Sequence, residues 1–183
     1  PEIPATRPAE NLTVKAQGTV NTYTITFDTD GGSAIAPITQ DYGTAVTTPA
    51  DPTRTGYTFA GWTPEIPPDM PAENRTINAK WTVNQYTLTF DTDGGSAIDP
   101  ITQDYGTAVT APADPTRTGY TFAGWTPEIP AAMPAEDLTI KAKWTVNTYT
   151  ITYDLDGVTA EGNPASYTVE SGAITLAEPT KPG

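Results

Sequence analysis

The chain has 183 residues, with 22 acidic and 9 basic side chains, no histidine and no cysteine, and a formal net charge of −13. That charge repels phosphate and argues against DNA, RNA or an anionic membrane as partner. Without histidine or cysteine there is no ordinary general base near neutral pH, no thiolate nucleophile, no disulfide framework and no soft-metal site.

Threonine is the commonest residue, at 36, and 19 prolines and 15 glycines accompany it. Threonine and the aromatics favour strands, while proline and glycine break helices, so the composition is β-rich. Residues 1–21, PEIPATRPAENLTVKAQGTVN, open the chain without the basic, apolar and small-residue zones of a signal peptide. They match residues 64–84 and so form the C-terminal part of a preceding repeat. Residues 22–84 and 85–147 are complete repeats that differ at nine positions, and Tyr23, Tyr86 and Tyr149 mark the 63-residue period. Residues 148–183 are the N-terminal part of a further, diverged repeat. No apolar run approaches the ~20 residues of a membrane-spanning helix, so this fragment inserts in no membrane as a helix.

Within a repeat, YTITFD (23–28) places Tyr23, Ile25 and Phe27 on one face and Thr24, Thr26 and Asp28 on the other. Such period-2 alternation predicts a half-buried strand. DTDGG (28–32) follows as a turn, ITQDYGTAV (38–46) as a weaker strand, and TPADPTRT (48–55) holds one helical turn at most. GYTFAGW (56–62) alternates again, putting Tyr57 and Phe59 on one face and Trp62 on the other. PEIPPDMPAEN (64–74) is a proline-studded loop, and TINAKWTV (76–83) is a strand that aligns Ile77, Ala79, Trp81 and Val83. The predicted class is mostly β, α+β at most, with about four strands per unit and at most one short helical turn. Val83-Asn84-Gln85 leaves almost no linker before the next unit, so an elongated, semi-rigid rod of tandem units is expected.

TRTGYTFAGW (53–62), an A-K-W strand and an opening YTITFDTDGG together resemble the Listeria–Bacteroides repeat, the B-repeat type of internalin-like bacterial surface proteins. The resemblance covers both complete repeats and both fragments. It implies a small β-grasp-like sheet, export to the bacterial surface, and a place in the stalk between a ligand-binding head and a wall anchor. The departures are Gly18, where Trp81 and Trp144 stand in the other copies, and the diverged stretch 153–172.

DTDGG offers two carboxylates, Asp28 and Asp30, repeated as Asp91 and Asp93. Calcium needs six to eight oxygens and usually a closing bidentate glutamate, and no acid follows Asp30 before Asp41. Asp30-Gly31 instead suits the positive φ angles of a tight hairpin turn. A catalytic acid pair requires a cleft in which burial raises one pKa, and a small turn-rich unit has little room for one. Tyr57, Phe59 and Trp62 could form a sugar-stacking platform, but so few large side chains are first needed for the core. Trp81 is assigned to the core as well, which makes Gly18 a hole. Arg54 is expected to cover apolar surface with its stem and keep its head wet. Lys80 and Lys143, candidates for an isopeptide cross-link, point outward. Asn11-Leu12-Thr13 and Asn74-Arg75-Thr76 match the N-glycosylation pattern and are read as idle.

The sequence therefore predicts no catalytic residue, no cofactor and no metal. Two functions remain open. One is a structural spacer whose partners are the neighbouring repeats of the same chain. The other is a repeated low-affinity module for a host protein, a glycan or a neighbouring cell, engaged by avidity. A contiguous exposed aromatic patch in every repeat would favour the second.

Overall fold

A computed structural model describes residues 11, 13, 15–156 and 161–178. Most of the 1–21 segment, Leu12 of the first glycosylation pattern and Gly157 of YDLDG lie outside the described residues. The chain divides into two compact units, residues 1–83 and 84–183.

In the first unit β1 (Thr22–Asp28), β2 (Ile38–Asp41), β3 (Tyr57–Thr63) and β4 (Arg75–Val83) form one sheet in the order β2-β1-β4-β3. β1 and β4 run parallel at its centre, with Phe27 opposite Ile77, and the outer strands are antiparallel to them. In the second unit β5 (Gln85–Asp91), β6 (Ile101–Asp104), β7 (Tyr120–Thr126) and β8 (Leu138–Val146) repeat this as β6-β5-β8-β7. β9 (Tyr149–Thr150) and β10 (Ser166–Tyr167) then form a short antiparallel pair. No helix occurs among the described residues, and TPADPTRT makes no helical turn. Residues 15–21 form no strand and are exposed.

Alternation does what the sequence requires in β1 and β4. Ile25 and Ile77 are completely buried and Phe27 nearly so, while Thr26, Thr76, Asn78 and Lys80 face out. A sheet needs a second layer over its apolar face, and the proline loop supplies it. Met70 is only 1% exposed and joins Ile25, Phe27 and Ile77 in the core, with Ile66 and Val46 packed alongside. The loop is tied down by its backbone: Met70 N–H donates to Thr44, and Gly43 and Val46 donate to Met70 and Pro68. The stretch read as a plain loop is thus the lid of the core.

Trp62 corrects the sequence reading. β3 gains one residue between Phe59 and Trp62 relative to β4, because Phe59 opposes Trp81 whereas Trp62 opposes Ala79. This β-bulge contains Gly61 at φ +103°, a value that glycine adopts without strain. The extra residue returns Trp62 to the face of Phe59, with ring centroids 5.1 Å apart, and it packs at a tilt against Phe27 at 5.2 Å. In the second unit Trp125 is buried in the same place. The three aromatics of YTFAGW are therefore not split between two faces.

Candidate functional site

Three segments distant in sequence meet at one end of each sheet: the DTDGG turn, the PTRTG stretch and the tryptophan of the A-K-W strand. The turn is a type I′ geometry. Asp30 and Gly31 have φ of 46° and 83°, and Gly32 N–H donates to the Thr29 carbonyl at 2.9 Å. Asp28 Oδ1 accepts from Asp30 N–H at 3.0 Å, so one carboxylate is used to shape the turn. The turn begins a longer connection to β2 and does not close a two-residue hairpin.

Trp81 holds the turn from beneath. Its indole N–H donates to the same Thr29 carbonyl at 3.0 Å. A Cβ on Gly32 would lie 2.6 Å from Trp81 Cζ2, which explains the second glycine of DTDGG. Trp144 repeats both relationships with Thr92 and Gly95. Trp81 and Trp144 are half-buried, each packed at the core's rim against Phe59 or Phe122, where the sequence had placed Trp81 in the core itself.

Arg54 closes the cluster from above. Its guanidinium lies 4.1 Å from the centre of the Tyr57 ring and 5.8 Å from that of Trp81, and it pairs with Asp30 at 3.0 Å. The head adds to the expected cover of apolar surface, because the ring faces and the carboxylate attract the cation itself while the side chain stays about a quarter exposed. Each contribution is small at such exposed sites, about 0.5–1 kcal/mol for the cation–π contact and less for the ion pair. Their joint effect is positional. Ser33 and Thr53 complete the clamp with a reciprocal pair of bonds at 2.8 and 3.0 Å.

The second repeat differs at one point. Lys141 stands where the first has Asn78, and its Nζ lies 3.3 Å from Asp93 and 3.9 Å from Asp91. Asp93 thus serves two cations, and its distance to Arg117 is 3.4 Å. A surface cleft of about 430 Å³ adjoins this clamp, lined by Pro115, Arg117, Tyr120, Phe122 and Trp144 among others.

Among the described residues no group of three or more Asp or Glu side chains is placed to hold a metal ion. Lys80 and Lys143 are exposed. Asn74 of the second glycosylation pattern uses its Oδ1 to accept from Thr24 N–H at 2.8 Å, and Asp137 does the same for Thr87. The arrangement thus consists of side chains of one unit that pair with one another at its surface. Arg54 was the participant hardest to place from sequence; its signal is an arginine three residues before a strand tyrosine, opposite an Asp-Gly turn.

The Listeria-Bacteroides repeat domain matches residues 23–80 and again 86–143. The chain belongs to the Listeria-Bacteroides repeat family. It is similar to a protein of Evansella cellulosilytica described as a Gly-rich membrane protein, 30% identical over 94% of this chain and 21% of that protein. It is also similar to Internalin H of Listeria monocytogenes, 35% identical over 75% of this chain and 29% of that protein. The chain therefore spans less than a third of the length of these relatives. A solved structure of Streptococcal High Identity Repeats in Tandem domains 3–4, from a cell surface protein, covers 69% of this chain and 98% of its own. It is 17% identical with a TM-score of 0.24, at which the superposition carries no argument. The DTDGG, PTRTGYTFAGW and A-K-W segments of this Listeria-Bacteroides repeat chain are the ones that build the clamp.

Proposed function

We propose that this chain is a structural spacer of a bacterial cell-surface protein, with repeats 22–84 and 85–147 as its folding units and no enzymatic activity. The observation that carries this reading is where the repeats differ. Of the nine differing positions seven are exposed in both copies, Arg75/Leu138 is half-buried, and Ile25/Leu88 is a buried swap of equal size. The two repeats share no exposed large hydrophobic residue among those described: Tyr42 is 57% exposed, whereas its counterpart Tyr105 is half-buried. The unchanged segments are used for folding, as the clamp and the Met70 lid demonstrate. Each unit adds length, and the charge of −13 keeps neighbouring stalks apart.

The second reading, a binding module for a host protein or glycan, has the cleft beside Arg117 in its favour. Against it, the ring faces there already receive the guanidinium. Small-angle scattering on the chain tests the spacer. An extended particle is expected, and a radius of gyration near the compact value, about 16 Å for this length, would overturn it. Saturable binding to a glycan or host-protein panel, lost in Y120A, would favour the module instead.

A further inference from the structure

The head of the third copy is seated on the second repeat. Tyr149 pairs with Tyr167 as Tyr23 pairs with Gln40. Ser171 N–H donates to Thr168 as Thr44 N–H does to Asp41. By this register Val169 holds the place of Tyr42, and Glu170 the place of Gly43.

Val169 lies directly over Gly119, at the threshold of β7. A Cβ built on Gly119 would overlap both Val169 methyl groups, with Cγ2 at 2.7 Å, and Gly119 is itself buried with φ +80°. Beside it the Tyr120 hydroxyl donates to Glu170 Oε1 at 2.8 Å. On the other flank Asn147 N–H donates to the Gly119 carbonyl at 2.8 Å, and Thr121 Oγ1 donates to Asn147 Oδ1 at 2.6 Å. One glycine thus receives an apolar knob and a backbone donor, with a side-chain bond alongside.

We propose that Gly119-Tyr120, the opening of GYTFAGW, is a coupling socket for the next repeat, whose knob is the Val169-Glu170 turn after its second strand. This rests on the spacer reading and adds the means by which one unit fixes the next. Asn147-Thr148 alone is a two-residue connection between β8 and β9 and leaves a hinge. Contacts on three sides of Gly119 remove its freedom. Glycine is required there for two reasons: the backbone is left-handed, and the volume of a side chain is already taken by the neighbour's methyls. Glu170 adds selectivity, since Gly43 and Gly106 occupy its place in the other copies and have no carboxylate to offer a tyrosine.

The test uses the whole chain. Amide ¹⁵N relaxation is measured for residues 85–146 and 149–176, together with hydrogen exchange at Asn147. In the parent both segments report one rotational correlation time. In V169D the head moves independently and Asn147 protection falls roughly tenfold or more, while the amide shifts of β5, β6 and the rest of the sheet away from Gly119, Tyr120 and Thr121 stay in place. Y120F/E170A, which keeps the methyls and removes the polar contact, loosens the head partially. Y42D, at the equivalent place in the first repeat, leaves the coupling of the head unchanged. A parent head that already moves independently, a V169D head that stays coupled, or equal loosening by Y42D would each overturn the socket. An extended scattering profile alongside such a result would leave the spacer reading standing, so the two failures are distinguishable.

Discussion

The Trp81 indole N–H and the Gly32 N–H donate to one and the same acceptor, the carbonyl of Thr29, at 3.0 and 2.9 Å. The last strand of a repeat therefore holds the turn that leaves its first strand, and the central pair of the sheet is pinned at one end. Trp81→Phe removes the indole donor and keeps most of the ring, and is expected to cost about 1 kcal/mol. Trp81→Ala also loses the packing against Phe59 and the surface under Arg54, and is expected to cost about 2–3 kcal/mol for this half-buried site. Denaturant unfolding reads both, with Trp144→Ala acting on the second repeat in the same way. Equal stability of the Phe and Ala variants would show that the ring contributes nothing beyond its hydrogen bond.

Much of this fold was legible in the sequence because Ile25, Phe27, Ile77 and Ala79 keep a strict period of two, and the structure buries all four. Trp62 was misplaced because a single inserted residue at the Gly61 bulge reverses every face beyond it, and nothing in a period count reveals an insertion. Met70 and Ile66 were missed because apolar residues scattered among prolines have no period at all. The partners of Arg54 were not legible because its carboxylate lies 24 residues away and its rings belong to two different strands. The DTDGG turn was legible because Asp-Gly at positive φ is a local property and needs no tertiary partner.

The proline loop provides the next test. Met70→Ala opens a cavity under the sheet and is expected to cost about 2–5 kcal/mol, as for other buried methionines. Met70→Leu keeps the volume and is expected to stay below about 1.5 kcal/mol. Asp69→Ala, one residue away, should change stability by less than about 0.5 kcal/mol, because Ala132 stands there in the second repeat and Met133 is equally buried. Thermal or denaturant unfolding decides it. A Met70→Ala variant as stable as Asp69→Ala would mean that the loop does not close the core.

Asp28, Asp30, Asp91 and Asp93 give a third, ligand-based test. Asp28 Oδ1 and Asp91 Oδ1 each accept a backbone N–H of their own turn, and Asp30 and Asp93 each face an arginine. Melting temperatures in excess calcium and in excess chelator are expected to coincide, since an ion that bound only the native state would raise stability. A reproducible rise of several degrees with calcium would make these carboxylates ligands.

Tyr120 carries the pH dependence of the junction. Its pKa is raised above the ordinary tyrosine value of 10.0, first by the hydrogen bond its hydroxyl donates to Glu170, then by partial desolvation and the nearby Glu170 and Asp93 charges, against the opposing charge of Arg117. The neutral phenol is therefore the form that the docked head favours. A raised pKa means that this contribution is fully present below the ordinary tyrosine value and is lost as pH rises through the docked one. Once pH has passed the docked value, which lies above the ordinary 10.0, two anions would face each other across a 2.8 Å contact, and Val169 alone would hold the knob. The Tyr120 ring carbon bearing the hydroxyl, followed by NMR through that range, should titrate later in the parent than in Glu170→Gln, where the opposing charge is gone. Hydrogen exchange at Asn147 should accelerate beyond its ordinary base-catalysed trend in the same interval in the parent. In Tyr120→Phe no such step is expected, because there is no proton to lose. Identical Tyr120 midpoints in the parent and in Glu170→Gln would show that the carboxylate does not hold the hydroxyl in solution, and the polar side of the socket would fall with it.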